Sequence, residues 1–383
     1  MGFYLALKEI WRNRGRFVLF SFVIALITVL VLFIAALADG LGNGNKEYIE
    51  KLNGELIVFK KNVDLNIGAS RLDRSVMAEV RRFPQVADAG QASFASVGLL
   101  YGEGKKLNVA LIGVEPGKPG EPPVVSGNGL ADKRGKDAII DRNVALRTGF
   151  KLGDELTIRV IQGTREEFFT LRVSGISDGR QYSLQPAIIV PLLTFERIKP
   201  QVAVNPNAAD LISNIVIVKL HPDADVATMR GVLESQARDV EVVTLKTAYE
   251  NTPGYAAQQS TLSTQQFFSL LVGILVIGGF FQIQTLQKVP QIGMLKAIGA
   301  PNGTIAVAAV VQIFIVTLMG VAIGTGVTLG LAFAIPATVP IAFAPSAIIL
   351  GIAALMTVGP VGGLVSVRYA LRVEPLTALG LGG

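Results

Sequence analysis

Residues 287–300 read QKVPQIGMLKAIGA, and the sequence around them decides the fold. Behind them, residues 267–286 are apolar and uncharged; ahead of them, residues 305–367 hold no Asp, Glu, Lys or Arg. A polar insert between two runs long enough to cross a bilayer has to surface at a membrane face. Pro290 suits the first turn of a helix, where its missing N–H is not needed. Ile292, Leu295, Ile298 and Gly299 then recur at helical spacing, and Gly303 is available to end the segment. The expectation is a short helix and loop over residues 287–303, presented to the cytoplasm on a membrane hairpin.

The composition agrees. Half of the residues are hydrophobic, 17% are charged and mean hydropathy is +0.50, the balance of an integral membrane protein. Residues 40–260 hold 27 basic and 26 acidic side chains, leaving 8 of the 35 basic and 3 of the 29 acidic residues elsewhere. The net charge of +6 therefore comes mainly from membrane flanks, and a nucleic-acid partner has no support. With no cysteine, disulfides, thiol catalysis and cysteine-ligated metals are excluded.

From the N-terminus, residues 1–16 read as an amphipathic helix. Phe3, Leu7, Ile10 and Trp11 share one face, while Lys8, Arg12 and Arg16 suit anionic headgroups, making the lipid bilayer a direct partner. Residues 17–38 are the first span. The ending Ala36-Leu37-Ala38 resembles a signal-peptidase site, but the run exceeds the roughly 7–15 residues of a secretory signal, so a retained anchor is expected. Lys8, Arg12, Arg14 and Arg16 place the N-terminus in the cytoplasm.

Residues 39–260 read as a large extracytoplasmic α+β domain of two lobes. Strands are expected over 55–60, 107–113, 156–161, 168–176, 187–191 and 214–220, and helices over 73–83, starting at an Asp73 cap, and 225–237. Residues 113–135, rich in Pro and Gly, read as a surface loop or a seam between the lobes. Residues 249–264 are a polar linker or a helical stalk, and the lack of Gly and Pro over 256–266 favours the stalk. Residues 267–286, 305–335 and 341–367 are the remaining spans, the last two separated by an uncharged turn containing Pro336, Pro340 and Pro345. Arg368 and Arg372 return the tail, 368–383, to the cytoplasm, where Lys288 and Lys296 also lie. The chain is thus a multi-pass membrane protein of four transmembrane α-helices with both ends inside.

Chemistry is scarce. No GxxxxGK[ST] pattern occurs, so the chain cannot cradle ATP phosphates in the P-loop manner. The one histidine, His221, precedes Pro222, and no HExxH, GxSxG or Ser-His-acid set forms around it. No catalytic, metal-ligating or substrate-binding residue stands out, and the chain reads as a non-catalytic subunit. Uncharged spans also argue against an ion-coupled carrier. Gln282 and Gln284 suit helix-to-helix hydrogen bonds. Gly320 with Gly324, and Gly326 with Gly330, are small-xxx-small motifs for packing within the subunit or for a dimer interface.

The four-span plan, with a large domain after the first span, resembles the MacB/FtsX-type permeases of ABC transporters. The stretch Gln291-Ile-Gly-Met-Leu-Lys-Ala-Ile-Gly-Ala300 is similar to that family's EIGxLKAxGA coupling segment. Ala138-Ile-Ile-Asp, with Ala145, Gly149, Gly153 and Asp154, is similar to a recurring outer-domain pattern, as are Leu171–Ile176 and Ile188–Pro191 in outline. Residues 284–293 look closest to the DevC/HrtB-like branch. The resemblance implies a homodimer in a bacterial inner membrane, served by two copies of a separate cytoplasmic P-loop ATPase. That ATPase would hold ATP and Mg, and this chain would bind no cofactor. It would dock at Pro290, Gln291, Ile292, Gly293, Met294, Leu295, Lys296, Ala297, Ile298 and Gly299 and drive export by mechanotransmission; an outer adaptor is compatible with the plan. Gln291 stands where the family often has Glu, so docking is expected to rest on an apolar face of Ile292, Leu295 and Ile298 with Lys296 at its rim. The uncharged spans suit an apolar or amphiphilic cargo, and the scarcity of iron ligands disfavours haem. The alternative is an FtsX-like signalling scaffold that activates an outer partner without transport.

Overall fold

The computed structural model describes residues 2–162, 165–201, 212–335, 339 and 341–372. In chain order it opens with helices α1 (Gly2–Arg12) and α2 (Arg14–Glu50), then strand β1 (Leu56–Lys60) and helix α3 (Arg74–Val80). Strands β2 (Val86–Tyr101), β3 (Lys105–Val114), β4 (Val124–Gly127) and β5 (Asp137–Asp141) follow, then α4 (Arg142–Thr148). Next come β6 (Glu155–Gln162), β7 (Arg165–Ser177), β8 (Gln181–Tyr182), β9 (Gln185–Pro191), α5 (Leu192–Ile198), β10 (Ile215–Leu220), α6 (Val226–Gln236), β11 (Val240–Thr244) and α7 (Leu245–Glu250). The chain closes on α8 (Tyr255–Gln287), α9 (Val289–Ala297), α10 (Asn302–Ala334) and α11 (Pro345–Arg372).

Two compact units result. One comprises the described residues up to 40, 259–335 and 341–372; the other comprises those of 41–258 together with residue 339. In the second, eleven strands form one sheet in the order β11-β1-β10-β2-β3-β9-β5-β7-β4, with β6 pairing β2 and β7, and β8 pairing β9. The pairs β3–β9 and β5–β7 are parallel, and the other pairings are antiparallel.

Side-chain alternation explains the two lobes. Ile57, Ile112, Ile139, Ile189 and Ile217 point to one face and share one core with Tyr48 and Ile49. Their neighbours point the other way. There the core divides: Leu56, Val58, Val216 and Val218 meet α3 and α6, while Leu111, Ile140, Ile188 and Val190 meet Val144 of α4 and Phe195 of α5. Strands buried on both sides need continuous apolar runs, which is why LIVF, AII and IVIV occur where they do.

Several local expectations change. The helix expected over 73–83 spans only α3, and the Asp73 side chain makes no capping bond, although its backbone is extended as a cap requires. The Pro/Gly-rich segment 113–135 includes β4, which pairs with β7. The long strand β2 has little β-branched character; it is held by β10, β3 and β6. Asp225 does cap α6, accepting from the Thr228 N–H at 2.8 Å.

In the other unit, α2, α8, α10 and α11 are each long and apolar enough to cross a membrane. Residues 255–266 form the first turns of α8, so this stretch is helix and not an irregular linker. The helix containing the first apolar run continues to Glu50 through Gly40, Gly42 and Gly44 instead of ending near residue 38. The fourth long helix starts at Pro345, not at residue 341, because proline fits the first turn. Pro336 and Pro340, and the tail from residue 373, lie outside the described residues. Phe17, Ile24, Val31, Ile277, Phe281, Ile313, Val316 and Leu355 form the bundle core. Val18, Phe22, Leu26, Phe267, Leu271, Leu275, Phe314 and Leu318 are exposed, the arrangement expected where the solvent is lipid.

Glycines set the helix spacing. A Cβ on Gly278 would lie 2.8 Å from the Gly362 carbonyl oxygen, so α8 and α11 touch backbone to backbone. A Cβ on Gly320 would meet Ile24 at 2.6 Å, and one on Gly324 would meet Thr28 at 2.5 Å. The first of the two small-residue motifs thus packs α10 on α2 within the chain. At Gly326 and Gly330 a Cβ would meet open space.

Candidate functional site

α9 is the short helix of the polar insert. Lys288 stands at its N-cap, and Pro290 lies in its first turn. Its far end closes on a Schellman motif: the Gly299 N–H donates to the Lys296 carbonyl at 2.9 Å and the Ala300 N–H to that of Leu295 at 3.0 Å. Gly299 has φ +93°, a backbone state that other residues adopt at a cost. Gly299, and not Gly303, therefore ends the segment; Gly303 already belongs to α10.

The outward face also differs from the expected one. Ile292 is 8% exposed and packs on Ile305 and Ala370, and Gly293 beside it is buried. Leu295 is half-buried, and Lys296 donates from Nζ to the Leu371 carbonyl at 2.8 Å. What faces out is Pro290, Gln291, Met294 (52% exposed), Ala297, Ile298 (80%) and Gly299. The correction follows from helix geometry. At 3.6 residues per turn, residues 292 and 298 lie about a third of a turn apart around the axis, whereas 291, 294 and 298 fall on one side. Ile292 seats the helix; Met294 and Ile298 are its free apolar surface.

A second feature escaped the sequence reading. The Lys288 Nζ pairs with Glu9 Oε1 of α1 at 2.5 Å and donates to Gln312 Oε1 of α10 at 2.9 Å. Gln312 Nε2 in turn donates to Glu9 Oε2 at 2.6 Å, closing a ring of three side chains beside Phe17. Burial lowers the Lys288 pKa, and the Glu9 carboxylate opposes that shift. The available signal was one of isolation: Glu9 is the one acidic residue among the first 38, and Gln312 is the one amide between residues 305 and 335.

Among the described residues of 41–258 no catalytic constellation stands out. His221 is exposed just beyond β10, with its N–H on the Gln85 carbonyl. Among the described residues no group of His, Asp and Glu could hold a metal ion. A cleft of about 790 Å³ is lined by Lys51, Asp88, Lys118, Glu121, Arg180 and Lys219, but Lys118 is bound to Asp88, and Lys51 and Arg180 to Asp178.

Asp141 is fully buried and caps α4, accepting from the Asn143 N–H at 2.6 Å and the Ala187 N–H at 3.3 Å. Burial outweighs these bonds and pushes its pKa up to about 6. The folded chain thus holds the proton more tightly than the unfolded chain, whose carboxyl titrates near 4. Asp141 therefore favours folding most below about pH 4, and that contribution is lost as pH rises to about 6. Asp141→Asn should flatten this stretch of a stability-against-pH curve, measured by thermal melting of the full chain.

Residues 17–236 match the model of the MacB-like periplasmic core domain, and residues 266–375 that of the FtsX-like permease C-terminal domain. The chain belongs to the MacB/FtsX-type permease family. It is 27% identical over 376 residues to a protein of Staphylococcus haemolyticus named as a hemin transport system permease protein, HrtB, covering 98% of this chain and 99% of that one. It is 24% identical over 379 residues to its namesake in Staphylococcus epidermidis, covering 99% of both. Among solved structures, the periplasmic region of MacB from Actinobacillus actinomycetemcomitans aligns at a TM-score of 0.38 and 16% identity, covering 52% of this chain and 92% of that one. A MacB/FtsX-type chain with this layout is a multi-pass membrane protein and the permease component of an ABC-type transporter.

Proposed function

We infer that the chain is the membrane subunit of an ABC exporter, working as a homodimer with two copies of a separate cytoplasmic P-loop ATPase. The observation that carries this reading is the free face of α9, where Met294 and Ile298 stand exposed on a helix that Ile292 anchors to the bundle. An apolar surface on a short seated helix fits a groove on a partner, and the neutral Gln291 leaves that fit dominant. On this reading α9 and both termini face the cytoplasm of a bacterial inner membrane. ATP and Mg sit on the ATPase, whose closure displaces α9, and a packed bundle passes such a displacement on as a rigid-body shift. Gly326 and Gly330, open in the single chain, are the candidate contact for the second copy.

The uncharged spans suit an apolar or amphiphilic cargo, and the names of the staphylococcal relatives make hemin the first to test. His221 belongs to the domain of residues 41–258, so hemin would be recognised without a histidine from the helices. The experiment reconstitutes the chain and its ATPase in vesicles and follows ATP-dependent movement of hemin and of a fluorescent phospholipid. Cargo-stimulated hydrolysis with movement of either one supports the exporter. Hydrolysis that moves neither would overturn it in favour of a signalling scaffold.

A further inference from the structure

Glu9, Lys288 and Gln312 belong to three different helices of one compact unit, yet their polar ends close a ring. Gln312 is nearly fully buried, and the Glu9 and Lys288 side chains are about four-fifths covered. A buried ion pair is a poor source of net stability, because desolvation offsets most of the attraction; what it supplies is position. Here the position is specific. Lys288 is the N-cap of α9, so its side chain ties the start of that helix to α1 and α10 together. The rest of α9 is held through Ile292, on Ile305 and Ala370, and through Lys296, on the Leu371 carbonyl. Those contacts reach α10 and α11, and the Lys288 ring adds a polar link to α1.

The attached helix is itself two-sided. Ala6 is buried and Gly2 lies against Thr304 and Val307 of α10, while Phe3, Tyr4, Leu7 and Trp11 are exposed on the other side. The geometry points to the Glu9–Lys288–Gln312 ring as the joint that makes α1 move with α9, so that a displacement received at α9 is passed to the helix lying along the membrane face. This rests on the reading of α9 as the ATPase-docking helix.

The absence of cysteine from the chain makes the test clean. Spin labels are placed at Arg12→Cys on α1 and at Gln287→Cys, the residue before the α9 N-cap, both exposed, outside the ring and outside the docking face. The full-length chain is studied in nanodiscs, alone and with its ATPase. The distance distribution between the labels should be narrow and keep its centre when ATP is added. Lys288→Met and Glu9→Gln should each broaden it, even without the ATPase, while Lys288→Arg and the exchange of Glu9→Lys with Lys288→Glu should restore the narrow form. Single variants that keep the narrow distribution would overturn the joint, as would a broadened one that neither restoring variant narrows. Recovery of the ATPase with the labelled but otherwise unaltered chain is scored separately. Its failure would count against docking at α9, and the ATPase-free measurement would still decide the joint.

Discussion

Replacing Ile298 with aspartate should abolish recovery of the partner ATPase with this chain while leaving its amount in the membrane unchanged. Ile298 is 80% exposed and stands at the end of α9, so a charge there disturbs no packing within the chain. In the docked state it would be desolvated in an apolar groove, and truncation of a central anchor typically costs about 2–4 kcal/mol. That is a loss of affinity of roughly 30- to 1,000-fold. Met294→Asp, on the same side of the helix, should act alike. Ile292→Ala should act differently, by loosening the seat on Ile305 and Ala370. Affinity is read by titrating labelled ATPase onto nanodiscs that hold each variant. Undiminished binding to both Ile298→Asp and Met294→Asp would place the docking point elsewhere.

Gly324→Val should destabilise the helical unit, whereas Gly326→Val, two residues on, should not. A Cβ at position 324 would lie 2.5 Å from the Thr28 Cβ and 2.6 Å from the Ala25 carbonyl oxygen. Backbone cannot swing aside as a side chain can, so the helices must part, and overpacking of this kind costs about 1–3 kcal/mol or more. At Gly326 the added methyl groups enter open space. Thermal melting followed by fluorescence-detected gel filtration, scored on the monomer peak, should show a lowered midpoint for Gly324→Val and an unchanged one for Gly326→Val. The same chromatograms should show Gly326→Val losing the dimer. Equal melting of the two variants would refute the packing of α10 on α2, and an intact dimer would move the second copy to another face.

Much of the architecture was legible because hydropathy acts over short range. The four apolar helices follow from uninterrupted apolar runs, and the strands of LIVF, AIIV and IVIV from short continuous runs rich in β-branched residues. β2 was missed because Val86–Tyr101 is rich in Ala, Gly and Ser, and its partners in β10, β3 and β6 are remote in sequence. The segment 287–300 does hold a short helix, but Ile292, expected to share an exposed apolar face with Ile298, is buried. Spacing alone made Ile292 and Ile298 equivalent, and only their neighbours separate them.

What the sequence determined by itself was the apolar and polar partition of the chain: which runs suit a membrane, which domain is balanced in charge, and where the short helix stands. The physical reason is that transfer from water to hydrocarbon is set by local composition. The tertiary structure alone decided contacts between residues hundreds of positions apart. It carried α2 through Gly44, where a Cβ would lie 2.7 Å from Leu184, so that this glycine serves close approach and does not end the helix. It distinguished Gly324 from Gly326, brought Glu9 to Lys288, and turned Ile292 inward and Ile298 out. Each of these depends on the atoms that surround a side chain, which no stretch of sequence contains.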